Sequence, residues 1–315
     1  MTAWLLCGLG LVILLLAGDA LVKGAVNMSL RLGVPALIVS LTIVAFGTSA
    51  PELLISISAA LDNVPGLALG NVVGSNTANI LMVLGIPALL ATMHTSHCNS
   101  RKTYVQMIAA SLLFIALAFR GVFDWIAGLV LLAGLALMLA DAFRDAHLHR
   151  QACKADPEDE VEGADPSMRW WRIIVYLVLG LVGLPLGADL LVTNATIIAQ
   201  TYGVSDTVIG LTLVAVGTSL PELATTVMAA LRRQADVALG NVIGSNMFNL
   251  LAIIGIASFV RPIPVDPAFL DFDLWVMLGA SVLLFPFVFM RMDITRVWGV
   301  VLSGLYLAYL AIVLS

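Results

Sequence analysis

Charge is what this chain has least of. Lys, Arg, Asp and Glu make up 11% of its 315 residues, and only 15 are basic. With a net charge of −5 there is no electropositive surface to follow a phosphate backbone, so nucleic-acid binding is excluded. Cysteine is equally sparse. Cys7, Cys98 and Cys153 are far apart, with no C-x-x-C or Cys/His spacing, and read as filler or loop thiols. The four histidines, His94, His97, His147 and His149, all fall in expected loops. There is no H-E-x-x-H, no G-x-S-x-G and no pair of catalytic aspartates, which disfavours an enzyme. The first apolar run lacks a basic n-region, so it reads as a membrane span rather than a cleaved signal.

What fills the chain instead is hydrocarbon. At 61% hydrophobic residues and a mean hydropathy of +1.04, too little polar surface remains to cover a water-soluble globule. Stretches long enough to cross a hydrocarbon layer of about 30 Å fall at 3–22, 34–61, 66–90, 104–119, 124–142, 172–190, 204–230, 236–259, 272–290 and 295–314. The expected fold is therefore an all-α membrane protein of ten transmembrane helices. One polar segment, 143–170, separates the halves, and its acidic run Asp156–Glu162 reads as a solvated linker. With both termini outside, thirteen of the fifteen Lys and Arg lie at inner loops and span ends, and only Arg120 and Arg261 lie outside. This predicts a multi-pass protein of the plasma (inner) membrane with a cytoplasmic linker.

The chain repeats itself. Residues 33–86 align without a gap on 203–256, an offset of 170, with 27 of 54 positions identical. The strongest blocks are V-A-F-G-T-S-A-P-E (44–52) against V-A-V-G-T-S-L-P-E (214–222), and A-L-G-N-V-V-G-S-N-T-A-N (68–79) against A-L-G-N-V-I-G-S-N-M-F-N (238–249). Asp19 pairs with Asp189. The offset covers five spans, an odd number, so the second copy enters from the opposite side. The expected organisation is an inverted repeat over 1–142, a linker over 143–170 and a second repeat over 171–315, with a transport site near the midplane.

Proline at 51 and 221, with glycine at 47 and 217, predicts a break in each helix at G-T-S. Irregular backbone at membrane depth is tolerated only inside protein or along a wet cavity. Freed carbonyls, the hydroxyls of Thr48, Ser49, Thr218 and Ser219, and the carboxylates of Glu52 and Glu222 then form an oxygen-rich wall. A buried carboxylate in a membrane is costly, and no basic residue lies at mid-span near either one. Such a set suits a hard cation such as Ca²⁺ and not zinc or copper. In G-S-N-x-x-N, Ser75 and Asn79 share a helix face, as do Ser245 and Asn249. Asn76 and Asn246 read equally well as site or as packing groups, and Asp19 and Asp189 as hinges or as helix-end polar residues.

These two blocks resemble the alpha repeats of the cation/calcium exchanger superfamily, and most of all its sodium/calcium exchangers, prokaryotic members included. The resemblance implies antiport of Na⁺ against Ca²⁺ by alternating access, with the first and sixth helices sliding over a rigid core. It implies that Glu52 and Glu222 are shared by both ions, and that Thr48 and Thr218 coordinate through their carbonyls. Ala45 and Ala215 would do the same for Na⁺, and Ser49, Ser75, Ser219 and Ser245 would complete the Na⁺ sites beside Asn79 and Asn249. Several relatives carry Asp at the position of Asn79 or Asn249. This chain has Asn at both, which implies two titratable groups and independence from K⁺. No prosthetic group or obligate protein partner is expected. A proton/calcium antiporter and a cation channel remain the alternatives.

Overall fold

The computed structural model describes residues 2–152, 165, 167–203, 215–267 and 269–313. The chain is an all-α membrane protein. In hydrocarbon the backbone must satisfy its own donors and acceptors, and a helix does so within one segment. In chain order the helices are α1 (Thr2–Leu32), α2 (Ala36–Thr48), α3 (Ala50–Leu61), α4 (Pro65–Leu90), α5 (Arg101–Ala118), α6 (Trp125–Ala152), α7 (Trp170–Thr201), α8 (Ala215–Thr218), α9 (Leu220–Leu231), α10 (Ala235–Val260), α11 (Phe269–Phe289) and α12 (Arg296–Val313). Among the described residues, eight are long and apolar enough to cross a membrane singly. A ninth span is the bent pair α2–α3, whose halves meet at 44°. Of the expected span 204–230, residues 204–214 lie outside the described residues, so the count of ten spans is seen only in part.

Two helices have little lipid-facing surface. Buried residues fill 83% of the apolar stretch of α4 and 89% of that of α10, against 17–39% in the other single spans. Those two helices carry the G-S-N-x-x-N segments and form the middle of the molecule. α1 and α7 pack against each other outside this centre. A Cβ built on Gly10 would lie 2.7 Å from the Leu191 nitrogen, and one on Gly180 would lie 2.5 Å from Leu21 Cβ. Contacts thus rise along α1 as they fall along α7, so the two helices are antiparallel. Their glycines permit an approach that any side chain would block.

Both helices outrun their apolar windows, 3–22 and 172–190. α1 continues through Lys23, whose ammonium lies 3.0 Å from Asp19 one turn back, and Asp19 also accepts from Arg232 at the end of α9. α6 likewise runs ten residues into the expected linker, and near that boundary Lys102 holds Asp141 and Asp145 at 2.7 Å each. The two halves make similar loop contacts. Met93 bridges Ile294, and strand β1 (Val122–Phe123) pairs with β2 (Ile263–Pro264), with Phe123 opposite Ile263.

Candidate functional site

Each broken helix turns at one serine. Ser49 has φ −84° and ψ 5°, and Ser219 has φ −86° and ψ 4°. Both lie in the sparsely populated region between helix and strand. Pro51 and Pro221 follow in the first turn of α3 and α9, where a missing N–H costs no helical bond. The same prolines leave the Gly47 and Gly217 carbonyls without the donor a continuous helix would supply. Glu52 and Glu222 stand in those first turns, at the positive end of the helix dipole. They are 1% and 0% exposed, and no Lys or Arg among the described residues pairs with either.

The Glu222 side of the site is closed by hydrogen bonds. Its Oε1 accepts from Ser49 Oγ at 3.3 Å and from Ser245 Oγ at 3.5 Å. The Thr48 hydroxyl lies 3.3 Å from Asn241 Oδ1 and 3.4 Å from Ser245 Oγ. The matched bonds on the other side, from Ser219 and Ser75 to Glu52, are not made. Instead Ser219 Oγ, Ser75 Oγ and Glu52 Oε2 are buried without a partner, as are Glu222 Oε2, Asn79 Oδ1 and Asn249 Oδ1. Beyond these six oxygens, only Ser100 and Ser303 carry such atoms among the described residues. An unmatched buried oxygen costs free energy, on the order of 1–3 kcal/mol. Six of them converging from four helices offer lone pairs to a cation and no nitrogen ligand.

The asparagines show how their oxygens come to be free. Asn79 Nδ2 donates to Asn246 Oδ1 at 3.1 Å, and Asn249 Nδ2 donates to Asn76 Oδ1 at 3.0 Å. Asn76 and Asn246 in turn donate to each other's carbonyls at 3.2 and 3.3 Å. Asn76 and Asn246 are therefore positioning residues. They hold each neighbouring amide by its NH₂ and leave its oxygen free.

Two further residues belong to the site and were not singled out in the sequence. Asn71 Nδ2 donates to the Glu52 carbonyl (3.1 Å) and Ser56 Oγ (3.0 Å). Asn241 Nδ2 donates to the Glu222 carbonyl (3.4 Å) and Thr226 Oγ1 (3.2 Å). They fasten α3 to α4 and α9 to α10 beside the breaks. Both are identical between the repeats and lie four residues before Ser75 and Ser245, a face relationship visible in the sequence. The Ala45 carbonyl already accepts Ser49 N–H at 3.0 Å and the Thr48 hydroxyl at 3.2 Å. In the second break Ser219 N–H goes to Val216, one residue closer than Ala215. Thr218 is half-buried and lines a cavity, whereas Thr48 is packed away.

The sequence has relatives with the same architecture. The family model described as sodium/calcium exchanger protein matches residues 2–143 and 172–315. The putative antiporter CaxA of Alkalimonas amylolytica is 37% identical over 95% of this chain and 95% of its own length. The sodium/calcium exchanger MaX1 of Methanosarcina acetivorans is 34% identical, covering 96% of each. A structure of the sodium-calcium exchanger NCX_Mj soaked with 2.5 mM Na⁺ and 1 mM Sr²⁺ superposes with a TM-score of 0.83 at 30% identity, over 99% of this chain and 98% of that one. Broken helices, central carboxylates and matches across both halves agree: the chain belongs to the sodium/calcium exchanger family, multi-pass membrane antiporters that exchange cations with Ca²⁺.

Proposed function

We propose that this protein exchanges Na⁺ for Ca²⁺ by alternating access, without need of K⁺, at a site formed by Glu52, Glu222 and the oxygens around them. The observation that carries the reading is the set of unpartnered buried oxygens: among the described residues all but those of Ser100 and Ser303 come from the expected ligand residues. Thr48, Thr218, Ala45 and Ala215 would add backbone carbonyls, and Ser49 and Ser245 the hydroxyls now turned toward Glu222. Two carboxylates are neutralised by one Ca²⁺ or by two Na⁺, with carbonyl dipoles for a further Na⁺. A loaded site then crosses the dry barrier nearly uncharged, while an unloaded one carries two buried charges, and that cost opposes uncoupled return. Asn at both 79 and 249 keeps the cage at two charges.

The two halves read as inverted repeats. Antiparallel α1 and α7, matched through Asp19 and Asp189, support this, as do the similar loop pairings of the two halves. Alternating access then amounts to the two halves exchanging local conformations. The distribution of Lys and Arg supports a plasma (inner) membrane protein with both termini outside and the linker cytoplasmic.

The test is ⁴⁵Ca²⁺ uptake into proteoliposomes with Na⁺, K⁺ and H⁺ gradients imposed one at a time. The Na⁺ gradient alone should drive accumulation. Uptake driven by a pH gradient without Na⁺ would replace this reading with proton exchange, and many-fold stimulation by K⁺ would remove potassium independence.

A further inference from the structure

A cavity of about 350 Å³ adjoins the exchange site on the Glu52 side. At its inner end it is lined by Asn71, Ser75 and Thr218, and Ser75 Oγ is one of the unpartnered oxygens. At its other end stand Asp273, Tyr306 and Tyr309. Together with Gly66 and Leu67 at the start of α4, they lie near the start of α11 and the end of α12, so the cavity rises toward one end of the helix bundle. At about 30 Å³ per water it has room for about ten.

Asp273 is the acid on this wall, and no Lys, Arg or His among the described residues neutralises it. Its hydrogen-bond partner is a phenol: Tyr309 OH donates to Oδ1 at 3.3 Å. The opposite half of the molecule is built otherwise. The residue at the position matched to Asp273 is Thr103. The acids of the neighbouring α5–α6 cleft, Asp141 and Asp145, are both held by Lys102 at 2.7 Å. One half thus presents a carboxylate without a cation along a passage to the site, while in the other the matched position carries no acid and the two carboxylates of the nearby cleft share one lysine. A lone negative charge between low-dielectric walls focuses the field and concentrates cations at the mouth of the passage.

We infer that Asp273, with the Tyr309 hydroxyl, is an accessory cation site through which ions enter or leave the Glu52 side of the exchange site, serving one membrane face only. The inference rests on the exchange reading above and adds to it a residue outside the central cage. A cation held there would exchange part of its hydration for carboxylate and phenol oxygens before reaching Ser75 and Thr218.

The experiment is Na⁺-dependent ⁴⁵Ca²⁺ flux in proteoliposomes, with half-saturating Ca²⁺ measured separately at each face and at low and high ionic strength. In Asp273→Asn, half-saturating Ca²⁺ should rise three- to ten-fold at one face and stay unchanged at the other, with the maximum rate kept. The difference should shrink as salt screens the charge. Asp273→Glu should restore the wild-type value to within two-fold, and Tyr309→Phe should shift it less than the Asn variant does. An unaltered half-saturation at both faces overturns the proposal, and so does a loss of maximum rate at unchanged half-saturation. If the Asn variant does not reconstitute, the wild type decides: half-saturating Ca²⁺ must depend more steeply on ionic strength at one face than at the other, and equal dependence overturns the proposal. Wild-type flux in the same vesicles tests the exchange reading independently.

Discussion

Arg232, at the end of α9, donates through its guanidinium to Asp19 in α1, and Lys23 reaches the same carboxylate from one turn further along α1. At the matched positions of the other half stand Asp189, Asp62 and Thr193, a set that cannot form the same ion pair. The tie between the outer helix pair and the core therefore exists in one half only.

Asp19→Asn is expected to destabilise the detergent-solubilised protein by about 1–3 kcal/mol, because it leaves a partly buried guanidinium short of its charged partner. Asp189→Asn, which breaks no ion pair among the described residues, should change stability by less than about 0.5 kcal/mol. Thermal unfolding followed by circular dichroism measures both. Equal effects would show that the tie contributes nothing.

Glu52→Gln and Glu222→Gln each keep the shape of the side chain and remove one charge from the cage. Both proteins should fold, with a size-exclusion profile like that of the wild type, and lose Na⁺-driven ⁴⁵Ca²⁺ uptake by a factor of 100 or more, on the order of 3 kcal/mol. Near-normal uptake in either variant would remove that carboxylate from the ligand set.

Asn76→Ala removes a donor to the Asn246 carbonyl and an acceptor for the Asn249 amide. The expected loss is about 1–3 kcal/mol of stability, together with weaker Ca²⁺ affinity, since Asn249 is freed to turn its NH₂ toward the site. Asn246→Ala should match it. Because the two residues share partners, the double variant should lose less than the sum of the single losses. Additive losses would separate the two residues energetically.

Cys98, in the loop before α5, titrates far above the ordinary thiol range. Burial is the main cause, and the nearby Asp236 and Asp293 carboxylates push in the same direction. The thiolate is the reactive form, so a protein with Cys7 and Cys153 replaced by Ala should resist maleimide at pH 7 while folded and label fully once unfolded. Raising the pH to 9 should still leave labelling slow. Rapid labelling of the folded protein at pH 7 would contradict the raised titration of this half-buried thiol.

Much of the site was legible because the chain states it twice. G-T-S-x-P-E announced the break and the burial of the carboxylate after it, since proline position is a local property. Ser75 and Asn79 followed from a four-residue spacing on one helix face. What the sequence could not convey were relations across the repeats. That Asn76 and Asn246 hold their neighbours' amides, and that Asn71 and Asn241 fasten the broken helices, depend on α4 and α10 meeting at the centre, which no single helix encodes. The lengths of α1 and α7 are not legible in hydropathy for a similar reason. Hydropathy ends where charge begins, but Asp19 and Lys23 stay helical because their partners lie on the same or neighbouring helices. The asymmetry between the Glu222 and Glu52 sides was likewise invisible, since matched sequences predict matched halves.

The reciprocal bonds between Asn76 and Asn246 have the form of an isologous contact, in which one residue type meets itself across a two-fold axis. In a true homodimer such a contact records every substitution twice, so a poor side chain there is penalised on both subunits at once. Covalent linkage of the halves relaxes that restriction. Position 76 can change while 246 does not, and each half can drift toward a separate task, as Asp273 and Thr103 or Arg232 and Asp62 already have. Joining two self-complementary subunits in one chain thus lets a symmetric machine acquire a front and a back while keeping the pairing at its centre.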